Sequence, residues 1–246
     1  MRYLVFRLTE ADWEPNMTGR GKGRIFELQH FRDRVEVFRD RSSAGKVLSG
    51  MLEMYRNSNA LVLAVPAGGV AVGAAIAKQL LLPLDVAVVS KITPSWNTEV
   101  GYGAVAFDGT VMLNEDLLAR LHLSREEIEQ GIAKTKAKVN RRLKMLRGDR
   151  PALDLSRPVI LVDDGLASGF TLHVAIQALK KAGTHEIVLA VPTAHEESLD
   201  KVIREVESVY CPNIRGGLSF AVADAYEYWS DVEEGEVVEL LKEFYP

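Results

Sequence analysis

Asp163 and Asp164 stand where four apolar, mostly β-branched residues, Val159-Ile160-Leu161-Val162, give way to small and polar ones. Such a run reads as a buried parallel strand, which puts both carboxylates at its carboxyl edge. Beyond them Gly165 and Gly169 permit a tight turn, and Ser168 and Thr171 bring hydroxyls. From Thr171 the spacing of Leu172, Ala175, Ile176 and Leu179 predicts a helix. A strand, a small-residue loop and a helix N-terminus make an anion cradle, because first-turn amides and the positive end of the dipole face whatever the loop holds. Phosphate is the natural occupant, and the carboxylates beside it can take sugar hydroxyls or a metal ion. A sugar phosphate satisfies both. The plainer alternative is an ordinary strand-to-helix turn whose acids cap the helix; the length of the run favours the cradle.

Two further stretches carry candidate chemistry. Ala60 to Val65 reads as a second central strand and ends in Pro66-Ala67-Gly68-Gly69-Val70, where adjacent glycines clear side chains from a place of close backbone approach. Val72, Ala75, Ile76 and Leu80 then begin a helix. Asp85 to Ser90 reads as a third strand, ending at Lys91. The segment from Ile92 through Gly103, with Trp96, Glu99 and Tyr102, is too long and glycine-marked for a simple turn, and mobility is expected of it. Lys91 is either a ligand cation or a solvated strand end. Ala104 to Phe107, Asp108-Gly109 and Thr110 to Leu113 form a hairpin signal that would carry this segment.

The elements that must position these residues alternate. Phe38 to Ser43 leads into an amphipathic helix, with Ser42 or Ser43 as its cap, and Ser124-Arg125-Glu126-Glu127 opens a long polar helix through Leu146. The cations of that helix spread round it rather than forming a stripe, which is the pattern of a solvated face. A strand over His185 to Val191, a short helix over Ser198 to Arg204 and a last strand over Val206 to Tyr210 complete the series. Strands and helices alternating from residue 60 to 210 imply right-handed crossovers and a mostly parallel, doubly wound α/β sheet with its site at the carboxyl edge. Outside that range, Arg2 to Leu8 and Arg24 to Gln29 read as a hairpin around the basic, glycine-rich loop Thr18 to Arg24. Cys211 to Phe220 reads as irregular, and Asp231 as the cap of a final helix. Tyr226, Tyr228 and Trp229 form either a subunit contact or a flat pocket. His185 and His195 have no second ligand at metal spacing.

The run from Val159 to Thr171 resembles the phosphoribosyl-diphosphate (PRPP) signature of the type I phosphoribosyltransferases: four hydrophobics, two acids, then a Thr-Gly-Gly-Thr-like end, here Ser168-Gly169-Phe170-Thr171. The resemblance covers residues 38–210 and implies a core domain there, with residues 1–37 and 211–246 as hood or accessory segments and a β-hairpin lid. By the same resemblance Ala167, Ser168, Gly169, Phe170 and Thr171 hold the 5-phosphate, and Ala67, Gly68 and Gly69 the diphosphate. Asp163, Asp164 and Lys91 form the catalytic set, with Mg2+ held by the two acids indirectly, through ribose hydroxyls or water. Trp96, Glu99 and Tyr102 belong to the lid. Phe170 replaces a small residue, at a place where the family uses mainly backbone amides. Ala167 stands where members acting on 6-oxopurines carry an Asp, which speaks against hypoxanthine or guanine. The implied activity moves ribose 5-phosphate from PRPP to a nitrogenous acceptor, a nucleobase. The alternative is a non-catalytic regulatory protein that keeps the PRPP pocket.

Bulk properties agree with a small-molecule enzyme. Over 246 residues, 30 basic and 34 acidic side chains leave a net charge of −4, which offers no field for nucleic acid. Cys211 is the sole cysteine, so no internal disulfide forms and a reducing, cytoplasmic setting is expected. No apolar run approaches the roughly 20 residues of a membrane span, and residues 1–8 are too short and charged for a signal peptide. A homo-oligomer, a dimer, is expected.

Overall fold

A computed structural model describes residues 15–16, 23–97 and 100–245. The strand expected over Arg2 to Leu8, most of the Thr18 to Arg24 loop, and Glu99 lie outside them.

The described chain runs through β1 (Pro15–Asn16), β2 (Arg24–Phe26), α1 (Arg41–Met51), β3 (Leu61–Ala64), α2 (Gly68–Leu80) and β4 (Leu84–Val86). There follow β5 (Val89–Ile92), β6 (Gly103–Ala106), β7 (Val111–Leu113), α3 (Glu115–Leu121), α4 (Arg125–Arg147) and β8 (Val159–Val162). The rest is α5 (Phe170–Lys181), β9 (Ile187–Ala190), β10 (Thr193–His195), α6 (Glu196–Val202), β11 (Ser208–Tyr210), β12 (Asn213–Arg215) and α7 (Glu234–Lys242).

The main sheet has the order β1-β2-β11-β9-β8-β3-β4, parallel throughout except for the β1–β2 pair. Its central strands are buried on both faces, which is why they read as unbroken apolar runs. Alternate residues feed two cores. Leu61, Leu63 and Leu161 join the α5 side, while Val62, Ala64, Ile160 and Val162 join the side of α1, α2, α4 and α7. The order reverses between β3 and β8, since β4 lies beyond β3 on one side and β9 and β11 beyond β8 on the other. Ligands of open α/β sheets bind at that switch point. The loops after β3 and β8, those with Gly68-Gly69 and Asp163-Asp164, both leave the sheet there.

Several details differ from the expectations. The apolar stretch expected as one strand over 85–90 divides: β4 stays in the main sheet and β5 joins a second, antiparallel sheet with β6 and β7. Both halves are buried, so nothing in the apolar pattern marks the change of partner. The Asp108-Gly109 hairpin forms as expected, with Gly109 at φ 84°. Lys91 therefore lies within β5, not at the end of a core strand. Residues 24–26, within the segment expected as hood or accessory, form β2, which pairs in parallel with β11 and extends the main sheet. Part of the stretch read as irregular forms β12, paired in parallel with β10. Asp40, not Ser42 or Ser43, caps α1, accepting the Ser43 amide at 2.7 Å while Ser43 Oγ accepts the Asp40 amide at 2.9 Å. Glu233 rather than Asp231 precedes α7, without a side-chain cap. The capping box at Ser124 and Glu127 is present. No helix among the described residues is long and apolar enough to cross a membrane.

Candidate active site

Two helix N-termini open at the switch point. α5 begins after Gly169, at φ 75°, and α2 after Ala67; neither cap residue supplies a side-chain acceptor, although the Phe170 amide donates to Ser168 Oγ at 3.4 Å and the Val70 amide to the Ala67 carbonyl oxygen at 3.1 Å. Gly169 tolerates a left-handed conformation that a side chain would strain. Ala167 and Ser168 are exposed, Gly169 to Thr171 half-buried.

The loop after β8 is held from behind by β10 and α6. The Leu166 amide donates to the Thr193 carbonyl oxygen and the His195 amide to the Leu166 carbonyl oxygen, each at 2.9 Å. Ser198 Oγ donates to the Ala167 carbonyl oxygen. These bonds fix the loop, and residues 193–198 carried no sign of it in the sequence.

Asp163 and Asp164 meet the other loop closely. A Cβ at Gly69 would lie 2.9 Å from both Asp163 Cα and the Val162 carbonyl oxygen, and one at Gly68 would collide with Asp164 Oδ2. The paired glycines thus clear room for the acids themselves. Asp163 Oδ1 accepts the Asp164 amide at 2.9 Å. Burial, with Asp164 beside it, pushes the Asp163 carboxyl well above the usual carboxylate range.

Asp164 is tied to residues that the motif did not reveal. Arg41, the first residue of α1, donates from Nε to Asp164 Oδ2 at 2.8 Å. The Tyr226 hydroxyl donates to the Asp164 carbonyl oxygen at 2.6 Å. Burial and the nearby Asp164 push that phenol far up, so it stays a neutral donor. Val222 lies against Gly165, where a Cβ would collide with it. The segment from 222 to 230 therefore packs on the signature loop, with Tyr226 bonded to Asp164 and Trp229 stacked against Tyr226 and Arg41. Tyr228 is exposed. A cation in the first turn of a helix opposes the dipole, and that was the available signal for Arg41.

Lys91, Trp96 and Tyr102 belong to the second sheet and the turn that follows β5. Lys91 is exposed on β5, with its stem along Gly101; a Cβ there would lie 3.1 Å from Lys91 Cδ. The β5–β6 part of its sheet packs on α5. Trp96 is exposed in the turn beyond. Tyr102 differs from its lid assignment: it is 1% exposed, under α4, with its hydroxyl against Gly131. A ring is more stable in that core than over an open cleft.

Phe170 is half-buried and packs against the apolar cluster on the α5 side. Phe170→Gly is accordingly expected to cost about 2 kcal/mol in denaturant unfolding, through lost burial. Any preference for phosphorylated over unphosphorylated ribose should survive it, because the amides remain.

The profile of the phosphoribosyl transferase domain matches residues 42–225. Two proteins of Mycobacterium tuberculosis, from strains CDC 1551 / Oshkosh and ATCC 25618 / H37Rv, are 32% identical over 208 residues, 84% of this chain and 47% of theirs. Each is provisionally named a phosphoribosyl transferase. The chain spans about half the length of these curated relatives, at 47%. A crystal structure of a Thermus thermophilus protein superposes with a TM-score of 0.67 at 30% identity, covering 84% of this chain and 98% of that one. The matched region runs from the start of α1 to the segment that packs on the Asp163-Asp164 loop, and by that match the chain belongs to the phosphoribosyl transferase domain family.

Proposed function

We propose that this protein transfers the ribose 5-phosphate of PRPP to a nitrogenous acceptor, a nucleobase, and releases diphosphate. The observation that carries the reading is the convergence of two uncapped helix N-termini on one carboxylate pair at the switch point of the sheet. PRPP has two phosphate ends with a diol between them, and this arrangement offers two anion cradles with two acids between them.

Displacement at the anomeric carbon develops positive charge there, and the enzyme's task is to hold the leaving diphosphate and keep water out. The amides of Ala167 to Thr171 hold the 5-phosphate, and those of Ala67 to Gly69 the diphosphate. Asp163 and Asp164 orient the ribose diol. Lys91 is assigned to the diphosphate, and the turn with Trp96 to the cover of the site.

The donor set fits Mg2+ shared with the substrate. Mg2+ keeps several waters and binds through one or two carboxylates plus phosphate oxygens, and two adjacent acids meet that need. Among the described residues no group of three or more His, Cys, Asp or Glu is arranged to enclose a metal. Asp163 and Asp164 would hold the ion through water or the ribose hydroxyls, and when bound it neutralises charge on the leaving diphosphate.

Ala167 offers no carboxyl to a 6-oxopurine, so acceptors other than hypoxanthine and guanine are favoured. A homodimer in the cytoplasm completes the reading. Diphosphate release from PRPP and Mg2+ across a panel of nucleobases tests it: release with one base supports transfer. PRPP binding without release for any acceptor would favour a regulatory sensor instead.

A further inference from the structure

Arg41 is a buried cation at the wrong end of a helix. It is 9% exposed, and its position opposes the α1 dipole. Besides the bond to Asp164, its Nη1 donates to the Ser230 carbonyl oxygen at 2.9 Å. Its Cζ lies 3.8 Å from the centroid of the Trp229 ring. Tyr226 closes the circuit, with its ring 5.1 Å from Trp229 and its hydroxyl on the Asp164 carbonyl oxygen. Asp164 is thus gripped at both its carboxylate and its backbone by groups that also hold residues 226–230.

We infer that Arg41 is a positioning residue that couples the C-terminal segment Tyr226–Ser230 to PRPP binding by fixing the aim of the Asp164 carboxylate. The inference rests on the reading of Asp164 as a PRPP ligand. Stability alone is a poor reason for the arrangement, since buried ion pairs rarely outperform apolar packing of the same volume. A guanidinium can do what an apolar residue or an ammonium cannot: its planar fork bonds two acceptors in fixed directions while its face stacks on a ring. With Oδ2 bound to Arg41, Oδ1 is the oxygen left to a ligand. Movement of Asp164 toward a ligand is felt by Arg41 and by the ring against it, and a change at Trp229 alters the aim of Asp164 by the same route.

The test is calorimetric titration of the full chain with PRPP and Mg2+, without acceptor, for wild type, Arg41→Lys, Trp229→Leu and the double variant. Indole emission is followed in the same titrations. Lys keeps the charge and loses the fork. Trp229 is 39% exposed, so Trp229→Leu keeps the test open if Arg41→Lys fails to fold. Each single variant should weaken PRPP about tenfold, and the double variant little more than either, as for residues acting as one unit. The PRPP-induced emission change should lose the same component in Arg41→Lys as in Trp229→Leu. Folded variants with wild-type PRPP affinity, or losses that multiply independently, would overturn the inference while leaving the proposed function standing. Absence of PRPP binding by the wild type would overturn both.

Discussion

Asp163→Asn should lower PRPP affinity about a hundredfold, a loss of roughly 3 kcal/mol, while leaving stability level or raising it. The two effects have one cause. Asp163 is enclosed beside a second acid, so its ionised form is penalised in the folded protein and its folded-state pKa is raised. Stability from such a group is present at low pH and lost as pH rises through that raised pKa. At neutral pH an uncharged Asn removes the penalty, and its Oδ1 can still accept the Asp164 amide. A ligand diol or metal ion, by contrast, needs the charge. Denaturant unfolding beside calorimetry reads both effects, and a strongly destabilised Asp163→Asn with intact PRPP affinity would make Asp163 a structural residue. Asp164→Asn differs in kind. Asp164 is the counter-ion of Arg41. Removing one partner of a buried pair costs about 3 kcal/mol, so this variant should lose stability and affinity together.

Gly68→Ala should be nearly as damaging as either acid variant. The added methyl would collide with Asp164 Oδ2 and lie 2.9 Å from Arg41 Nε. An exposed carboxylate could swing away, but this one is held by Arg41 and by the Tyr226 bond to its backbone. The collision therefore has to shift the α2 loop or break the ion pair. We expect a loss of about 2 kcal/mol in stability and at least tenfold in PRPP affinity. Gly235→Ala is the matched control, since nothing lies within contact of a Cβ there. Equal behaviour of the two variants in unfolding and in PRPP titration would show that the loops do not meet as described.

The parts legible in the sequence are those written in local pattern. Leu61–Ala64, Val159–Val162 and Ile187–Ala190 are apolar on both faces because helices cover both faces, and length with flanking small residues was enough to read them as strands. The two glycine-marked loops were legible for the same reason. What pattern could not carry was partnership. The division of residues 84–92 between two sheets depends on where the 103–113 hairpin docks. The pairing of Arg24–Phe26 with Ser208–Tyr210 joins segments far apart in the chain. The helix α3 was missed although Asn114 caps it, because its seven residues are too few to show a periodicity. In the candidate site, the acids and glycines announced themselves by spacing, whereas Arg41, Ser198, Val222 and Tyr226 act through contacts with residues far away in the sequence. Tyr102 was misplaced for the opposite reason: a tyrosine between glycines reads as loop, and only tertiary packing against α4 buries it.

On the proposed function, the loop from Asp163 to Thr171, with the Ala67 to Gly69 loop facing it, is a PRPP site. Calorimetric titration of the full chain with PRPP in the presence of Mg2+, repeated on Asp163→Asn, tests it most directly. Saturable one-site binding by the wild type is expected, weakened about a hundredfold in a variant that unfolds no earlier than the wild type. No binding by the wild type, or equal binding by both proteins, would contradict it.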